Sequence, residues 1–579
     1  MATSSRRGDW AAVAVATALA AWLVAPRMRL PIGFDGLHVY LPMARSFLAE
    51  GLAFLRKPES LVTAPLAYLY PALLGASEAA VRWANVALFC ATLVLSYLAL
   101  RIAHSRAAAI AAAFLLALSP LLRPFVADVL TEPPSFFLVA AWIACVALVA
   151  SGRSTGWAIL GGVALGLATL TRPAAMYFAP LMVLVFAFTR IASPPARGKL
   201  VALHAIGTAI TLLWILRNAM AFGFPAIATG AGAALFFGVN PLVDGFEPAY
   251  FGMSYDSGIA QDSASHLSIH ADRRLAAIAL TELADTPPAV VAEMFARKAL
   301  AFLFVSSGET SGEPLAWMRA WRIALVILAI VAVATRRKST GVAALAILVA
   351  YMVAVHLPVL YSHRYSVGAI EIPLTLLAAI GAVEAARSAQ ATAVTLAALA
   401  LALGLGLADI ARAGPLSPKP ERIPHEVIWL ADVGSRFPIG PGREPIDIAV
   451  AKDPRSPPWG QTILQLDLAI DAGKDNGCAA MTLRFKTPGQ ERFPAGRSVR
   501  VFLPTDTGPP AYGHARQASP RRRLTIGSTI PLFLDREGTL RLEFECASPA
   551  SAEIGTMAVI APRRETFYRD RFLERERRP

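Results

Sequence analysis

Charge is what this chain has least of. Of its 579 residues only 16% are Asp, Glu, Lys or Arg, while 56% are apolar, and the mean hydropathy is +0.52. A soluble chain of this length carries about a quarter charged residues, so a soluble globular protein is excluded. Cysteine is nearly absent too, with four in all. None has the Cys/His spacing of a metal site. Cys90 and Cys145 fall inside apolar runs and read as packing residues. Cys478 and Cys546 fall in a polar C-terminal part, a disulfide on an oxidising side or two thiols on a reducing one. Basic residues outnumber acidic ones, for a formal charge of +14. No basic run is interleaved with aromatics, so nucleic acid is not called for.

What the chain does have is length of apolar run. Stretches of about 17 to 22 residues, long enough to cross a bilayer, recur along it. They read as spans at about Trp10–Ala25, Val81–Ala103, Ala107–Leu122, Ser135–Ala150, Trp157–Leu170 and Met176–Thr189. Five more follow, at about Leu200–Leu216, Trp317–Ala334, Gly341–Pro358, Val367–Ala385 and Ala391–Ala408. Arg6 and Arg7 precede the first span, no clear cleavage site follows it, and more spans come after, so it reads as a retained anchor. Counting eleven spans from a cytoplasmic N-terminus puts most short basic loops inside, as the positive-inside rule requires. The loops carrying Asp35, Glu132, Arg172, Arg217 and Arg364 then all face outward.

Beyond Gly414 the composition changes. Pro415, Pro418, Pro420 and Pro424 mark a linker. Seven alternating segments follow: Ile446–Val450, Thr462–Ile470, Ala479–Phe485, Ser498–Leu503, Leu524–Leu534, Thr539–Cys546 and Glu553–Ile560. The fold expected is an α-helical polytopic membrane protein of about eleven transmembrane helices with a C-terminal β-sandwich-like domain. Its divisions are a membrane domain over 1–413, with external loops 27–80 and 218–297, a linker over 414–440, and a soluble β domain over 441–579.

Several polar residues stand at the outer ends of spans. Asp35 follows the first; a carboxylate beside a membrane helix is costly unless it faces a polar cavity, though an Asp can also simply cap the next helix. Asp128 and Glu132 open the fourth span, where the helix dipole by itself favours a carboxylate. Arg172, Arg217 and Arg364 are three guanidinium groups suited to bidentate phosphate contact, or to anchoring against lipid headgroups. His363 and Tyr365 flank Arg364. His266, His270 and Asp272 lie close enough in sequence to consider as metal ligands, but they do not make a strong case for one.

The stretch Gly33-Phe34-Asp35-Gly36-Leu37-His38-Val39-Tyr40-Leu41-Pro42-Met43-Ala44-Arg45 resembles the first-loop signature of the membrane glycosyltransferases with the C-type fold. Protein O-mannosyltransferases and lipid A aminoarabinose transferases are members. Thr131-Glu132-Pro133 looks like the second acidic site of that superfamily. Gly166-Leu167-Ala168-Thr169-Leu170-Thr171-Arg172-Pro173 is similar to its Arg-Pro turn. Trp214-Ile215-Leu216-Arg217-Asn218, Phe222-Gly223 and Gly238-Val239-Asn240-Pro241 are similar to a later segment, and Arg364-Tyr365 to a late Arg-Tyr element. The resemblance covers about residues 10 to 390. One departure is Gly36, where many relatives have Glu after the Asp. A metal site of adjacent carboxylates is therefore not supported, and no cofactor is expected.

The resemblance implies inverting transfer of a sugar from a polyprenyl-phosphate-linked donor to an external acceptor hydroxyl. Asp35 would be the general base, with Glu132 and Asp128 as further acidic residues. Arg172, Arg217, Arg364, Tyr365, His363, Tyr40 and His38 would hold the lipid phosphate and donor. The alternatives are a flippase or transporter, or a non-catalytic binding protein, for lipid-linked sugars. The Ala- and Arg-rich composition points to a bacterial inner membrane, with the active site and β domain in the periplasm.

Overall fold

The computed structural model describes residues 2–30, 32–33, 35–239, 268–304, 315–412, 425–451, 463–471, 478–493, 498–502, 522–527 and 537–562. Asn240, Pro241, His266, Trp459, the side chain of His38 and the tail from Arg563 lie outside them. The chain forms two compact units, Met1–Ala234 with Thr286–Lys419, and Leu235–Asp285 with Pro420–Pro579.

The first unit is helical. It opens with α1 (Ala2–Val24), α2 (Leu41–Glu50), α3 (Pro65–Leu73), α4 (Glu78–Ala103), α5 (Arg106–Leu118) and α6 (Arg123–Val126). Then come α7 (Glu132–Ala150), α8 (Gly156–Thr171), α9 (Phe178–Phe188), α10 (Pro194–Phe222) and α11 (Ala231–Gly238), whose last turn begins the second unit. After α12 (Ile269–Asp285) of the second unit come α13 (Pro288–Phe304), α14 (Leu315–Arg336), α15 (Thr340–His356), α16 (His363–Ala385) and α17 (Ala389–Arg412). Among the described residues, seven helices are long and apolar enough to cross a membrane. They lie at Gly8–Arg29, Glu78–Ala103, Glu132–Ala150, Pro194–Phe222, Ala316–Arg336, His363–Ala385 and Ala389–Ala411. Four shorter apolar helices, at Arg106–Leu118, Gly156–Thr171, Pro173–Phe188 and Thr340–His356, fall on the remaining expected runs. The protein is a multi-pass membrane protein.

Serine caps and close packing set these helices. Ser77 accepts from the Ala80 N–H at the start of α4, and Ser105 from Ala108 at the start of α5, each satisfying an otherwise orphaned donor. Gly381 lets α16 lie against α14 so closely that a Cβ there would fall 2.7 Å from the Leu328 carbonyl carbon. At the end of the unit where α1 and α5 begin, Asp9 pairs with Arg101 and Arg106. On the same end Glu384 collects His104 at 2.9 Å, Arg336 at 3.1 Å and Arg387 at 2.9 Å.

Among its described residues the second unit holds α12 and eight strands: β1 (His425–Ile439), β2 (Ile446–Val450), β3 (Ile463–Asp471), β4 (Cys478–Lys486), β5 (Ser498–Phe502), β6 (Arg522–Gly527), β7 (Gly538–Cys546) and β8 (Ala550–Pro562). They make two antiparallel four-stranded sheets, β1-β8-β3-β6 and β2-β7-β4-β5. Inward residues at period two, among them Ile446, Ile448, Leu466, Leu468, Leu483, Phe485, Leu540, Leu542, Ala552 and Ile554, form one core. A Cys478–Cys546 disulfide joins β4 to β7 at directly opposed positions. Among the described residues there are eight strands, against about seven expected, and β1 lies within the stretch 414–440 read as a linker. Its register breaks between Val427 and Trp429 and between Asp432 and Ser435, which erases the alternation that marks a strand in sequence.

Candidate active site

Four charged side chains from four segments meet where α7 begins, α8 ends and α16 begins. Glu132 is the first residue of α7, followed by Pro133 and Pro134. Proline suits a first helical turn, which has no partner for its N–H, and the helix dipole favours a carboxylate there. Arg364, the second residue of α16, donates from Nε to Glu132 Oε1 at 2.6 Å and from Nη2 to Oε2 at 3.3 Å. Its remaining nitrogen, Nη1, donates to Asp35 Oδ2. Arg172, the first residue past α8, brings Nη1 to 2.7 Å from Glu132 Oε1. Glu132 thus lies between two guanidiniums and Arg364 between two carboxylates, so the four formal charges cancel. In a water-poor site a charge is tolerated only when paired in this way.

Exposure is graded across the cluster. The Glu132 side chain is wholly buried, while Arg172 is 14%, Arg364 23% and Asp35 35% exposed. Of the two carboxylates, only Asp35 faces open space. The Tyr40 hydroxyl donates to Asp35 Oδ2 at 3.4 Å, and burial together with the nearby Asp35 charge pushes its own ionisation up. Asp35 leads into a single wide π turn, Gly36–Tyr40, which runs into α2. Turns of this type are rare and recur at functional sites.

Two glycines bring this loop against the segment before α7. A Cβ on Gly33 would sit 2.7 Å from Asp128 Oδ2, and one on Gly36 would sit 2.8 Å from Val129. The space is used. Asp128 accepts from the Gly33 N–H at 2.9 and 3.1 Å and from the Val129 N–H at 2.7 Å. Burial raises the Asp128 carboxyl above the usual range, against those hydrogen bonds. On α16, Gly368 leaves room for the Arg172 guanidinium, whose Nη1 would lie 2.5 Å from an added Cβ.

The structure therefore brings together Asp35, Glu132, Arg172, Arg364 and Tyr40, with Asp128 bound to the backbone of the same loop. Arg217 is held elsewhere. It lies in the last turns of α10, donates to Asn218 Oδ1 at 2.6 Å, and stacks 5.0 Å over both Trp214 and Phe222. His363 packs 5.9 Å from Phe125, and Tyr365 lies 6.2 Å from the His356 ring. Of the candidate metal trio, His270 and Asp272 lie on α12. Among the described residues no three His, Cys, Asp or Glu side chains gather as a metal site.

Sequence reasoning passed over two polar groups. Arg322 on α14 pairs at 2.9 Å with Glu371, seven residues beyond Arg364 on α16, and both are fully buried. Ser119 and Trp321 donate to the same carboxylate at 2.9 and 3.0 Å. Arg82 and Asn85, in the first turns of α4, are both buried, Arg82 against the approach to Asp35 and Asn85 against Asp128 in the segment before α7. An isolated charge inside an otherwise apolar run is the signal that would have found Glu371.

Comparison with known proteins covers part of this arrangement. The family described as dolichyl-phosphate-mannose-protein mannosyltransferase matches residues 47–216, a stretch that holds Asp128, Glu132 and Arg172. No curated protein matches. Among solved structures, an archaeal oligosaccharyltransferase from Archaeoglobus fulgidus in complex with an inhibitory peptide and a dolichol-phosphate is similar at 17% identity and a TM-score of 0.39. The match covers 72% of this chain and 57% of that one. The oligosaccharyltransferase of the same organism tethered to an acceptor peptide matches at 15% identity and a TM-score of 0.38, over 71% of this chain and 56% of that one. The chain thus spans little more than half the length of the solved structures it matches. The superfamily resemblance expected from the motifs is borne out, and through residues 47–216 it is a resemblance to the dolichyl-phosphate-mannose-protein mannosyltransferases.

Proposed function

We propose that this protein is a membrane glycosyltransferase that moves a sugar from a polyprenyl-phosphate-type lipid to an acceptor hydroxyl, with inversion. The observation that carries the reading is the graded ion cluster: a solvent-facing Asp35 held by Arg364, which is itself anchored on the buried Glu132. The acceptor oxygen attacks the anomeric carbon and gives its proton to Asp35. The bond from that carbon to the phosphate oxygen breaks, and the electron pair leaves with the lipid phosphate. A general base must stand within hydrogen-bond reach of the proton it takes. Asp35 is the carboxylate that an incoming hydroxyl can reach, whereas Glu132 is enclosed and serves to fix Arg172 and Arg364.

The two guanidiniums suit the leaving group. Charge that develops on a phosphate is stabilised by donors already in place, and Arg offers these in a planar fork. Arg172 and Arg364 are the pair next to Asp35; Arg217 stands apart, against Trp214 and Phe222, as a contact for a more distal part of the donor. We place the Asp35 end outside the cytoplasm, because Arg336, Arg337, Lys338 and Arg387 stand at the opposite ends of α14 and α16. The disulfide favours an oxidising compartment for the C-terminal unit, and residues 441–579 are proposed as a soluble periplasmic domain of a bacterial inner-membrane enzyme. The test is the configuration of the product. A transferred sugar with inverted anomeric configuration, read by NMR, is the expected result, and a retained configuration refutes the single displacement.

A further inference from the structure

We infer that Arg82, with Asn85, is the positioning device for Asp35; this rests on the reading of Asp35 as the base. Arg82 lies in the first turns of α4 and is 6% exposed. Its guanidinium binds three backbone carbonyls from two distant segments. Nε donates to Ala127 O at 2.6 Å, and Nη2 donates to Arg27 O at 3.0 Å and Leu30 O at 2.9 Å. Nη1 is held by Glu78 at 2.9 Å. One turn on, Asn85 Nδ2 donates to Asp128 O at 2.6 Å, and its Oδ1 accepts from Tyr70 at 2.9 Å.

These contacts bracket the Asp35 loop. Arg27 and Leu30 are the approach to it, and Ala127 and Asp128 are the segment it rests on. Asp128 then takes the Gly33 N–H, and Val129 packs where Gly36 has no side chain. Among the described residues, Asp35 itself is tied by side-chain contacts only to Arg364 and Tyr40. Its distance from Arg364 is therefore set by where α4 holds Arg27, Leu30, Ala127 and Asp128, and through Asp128 the Gly33 backbone. An apolar plug would hold helices together at less desolvation cost than a buried guanidinium. What the guanidinium adds is a fixed fork that registers several carbonyls at once, which a lysine ammonium does not reproduce.

The experiment compares Arg82→Lys in the full-length, detergent-purified protein with the wild type, in steady-state transfer from a radiolabelled polyprenyl-phosphate sugar. Misplacing a reacting group by about 1 Å costs on the order of a hundredfold. Arg82→Lys is therefore expected to lower kcat by at least about tenfold while the donor KM stays within about threefold, the pattern of a lost transition-state interaction. Placed on Asp35→Asn, it is expected to add no further loss. A kcat within about threefold of the wild type, or the same fold-loss on both backgrounds, overturns the inference, since independent effects multiply. Asp128→Asn, which keeps the side-chain shape, carries the same test if Arg82→Lys does not fold. Full transfer by Asp35→Asn itself would instead refute the assignment of the base, a result distinct from failure of the Arg82 variants alone.

Discussion

Two Arg–carboxylate pairs in this molecule have similar geometry and opposite surroundings. In the β unit, Arg541 on β7 grips Asp447 on β2 with two bonds of 2.7 Å, across an exposed sheet face. In the helical unit, Arg364 grips Glu132 with bonds of 2.6 and 3.3 Å, and that carboxylate is wholly buried. A pair in water contributes about 0–1 kcal/mol. Removing one partner of a buried pair costs about 3–5 kcal/mol, because a charge is left without compensation. The difference teaches where to look for function. The exposed pair is a surface brace, whereas the buried one keeps charge at a place where packed apolar side chains often serve a fold as well or better.

Glu132→Gln breaks the comparison hardest, after loss of Asp35 itself. It leaves Arg172 and Arg364 facing a neutral amide, and the expected cost is about 3–5 kcal/mol with near-complete loss of transfer. Thermal unfolding in detergent and a transfer assay check both. Gly368→Ala is a milder probe of the same cluster. The added methyl meets the Arg172 guanidinium, which must swing away from Glu132. Overpacking of this kind costs about 1–3 kcal/mol, here expected as a lowered kcat in steady-state kinetics, because Arg172 is displaced from the leaving phosphate.

Asp447→Asn is the smallest break. The hydrogen bonds from Arg541 hold the Asp447 carboxyl below the usual range. A depressed carboxylate contributes stability that is present above its unfolded pKa of about 4 and is lost as pH falls through the folded value. The variant is thus expected to lower the β unit's stability by less than about 1 kcal/mol at pH 7, and by nothing once both states are protonated in strong acid. Hydrogen exchange of β2 and β7 at the two pH values measures this difference.

Much of the helical unit was legible in the sequence, because a run of apolar residues long enough to span a bilayer has few other uses. Asp35, Glu132, Arg172 and Arg364 were legible for the complementary reason, as charges at the ends of such runs. The residues that escaped notice act through contacts with no local signature. Arg82 reads as one more basic residue at a span boundary until its carbonyl partners, 45 to 55 residues away, are in view. Gly368 reads as a small residue in an apolar helix until Arg172 is seen against it. Arg217 was grouped with the other arginines by its place at a helix end, and the structure instead seats it between two aromatic rings. In the β unit, strand β1 was hidden because its two register breaks remove the period-two pattern.

The most direct test of the account is sugar transfer from a radiolabelled polyprenyl-phosphate donor by the purified protein and by its Asp35→Asn variant. General-base catalysis contributes about 10²- to 10⁴-fold. The account predicts turnover by the wild type and a loss of that size in a variant that elutes and unfolds like the wild type. Unchanged turnover in Asp35→Asn would contradict it and remove Asp35 from the mechanism.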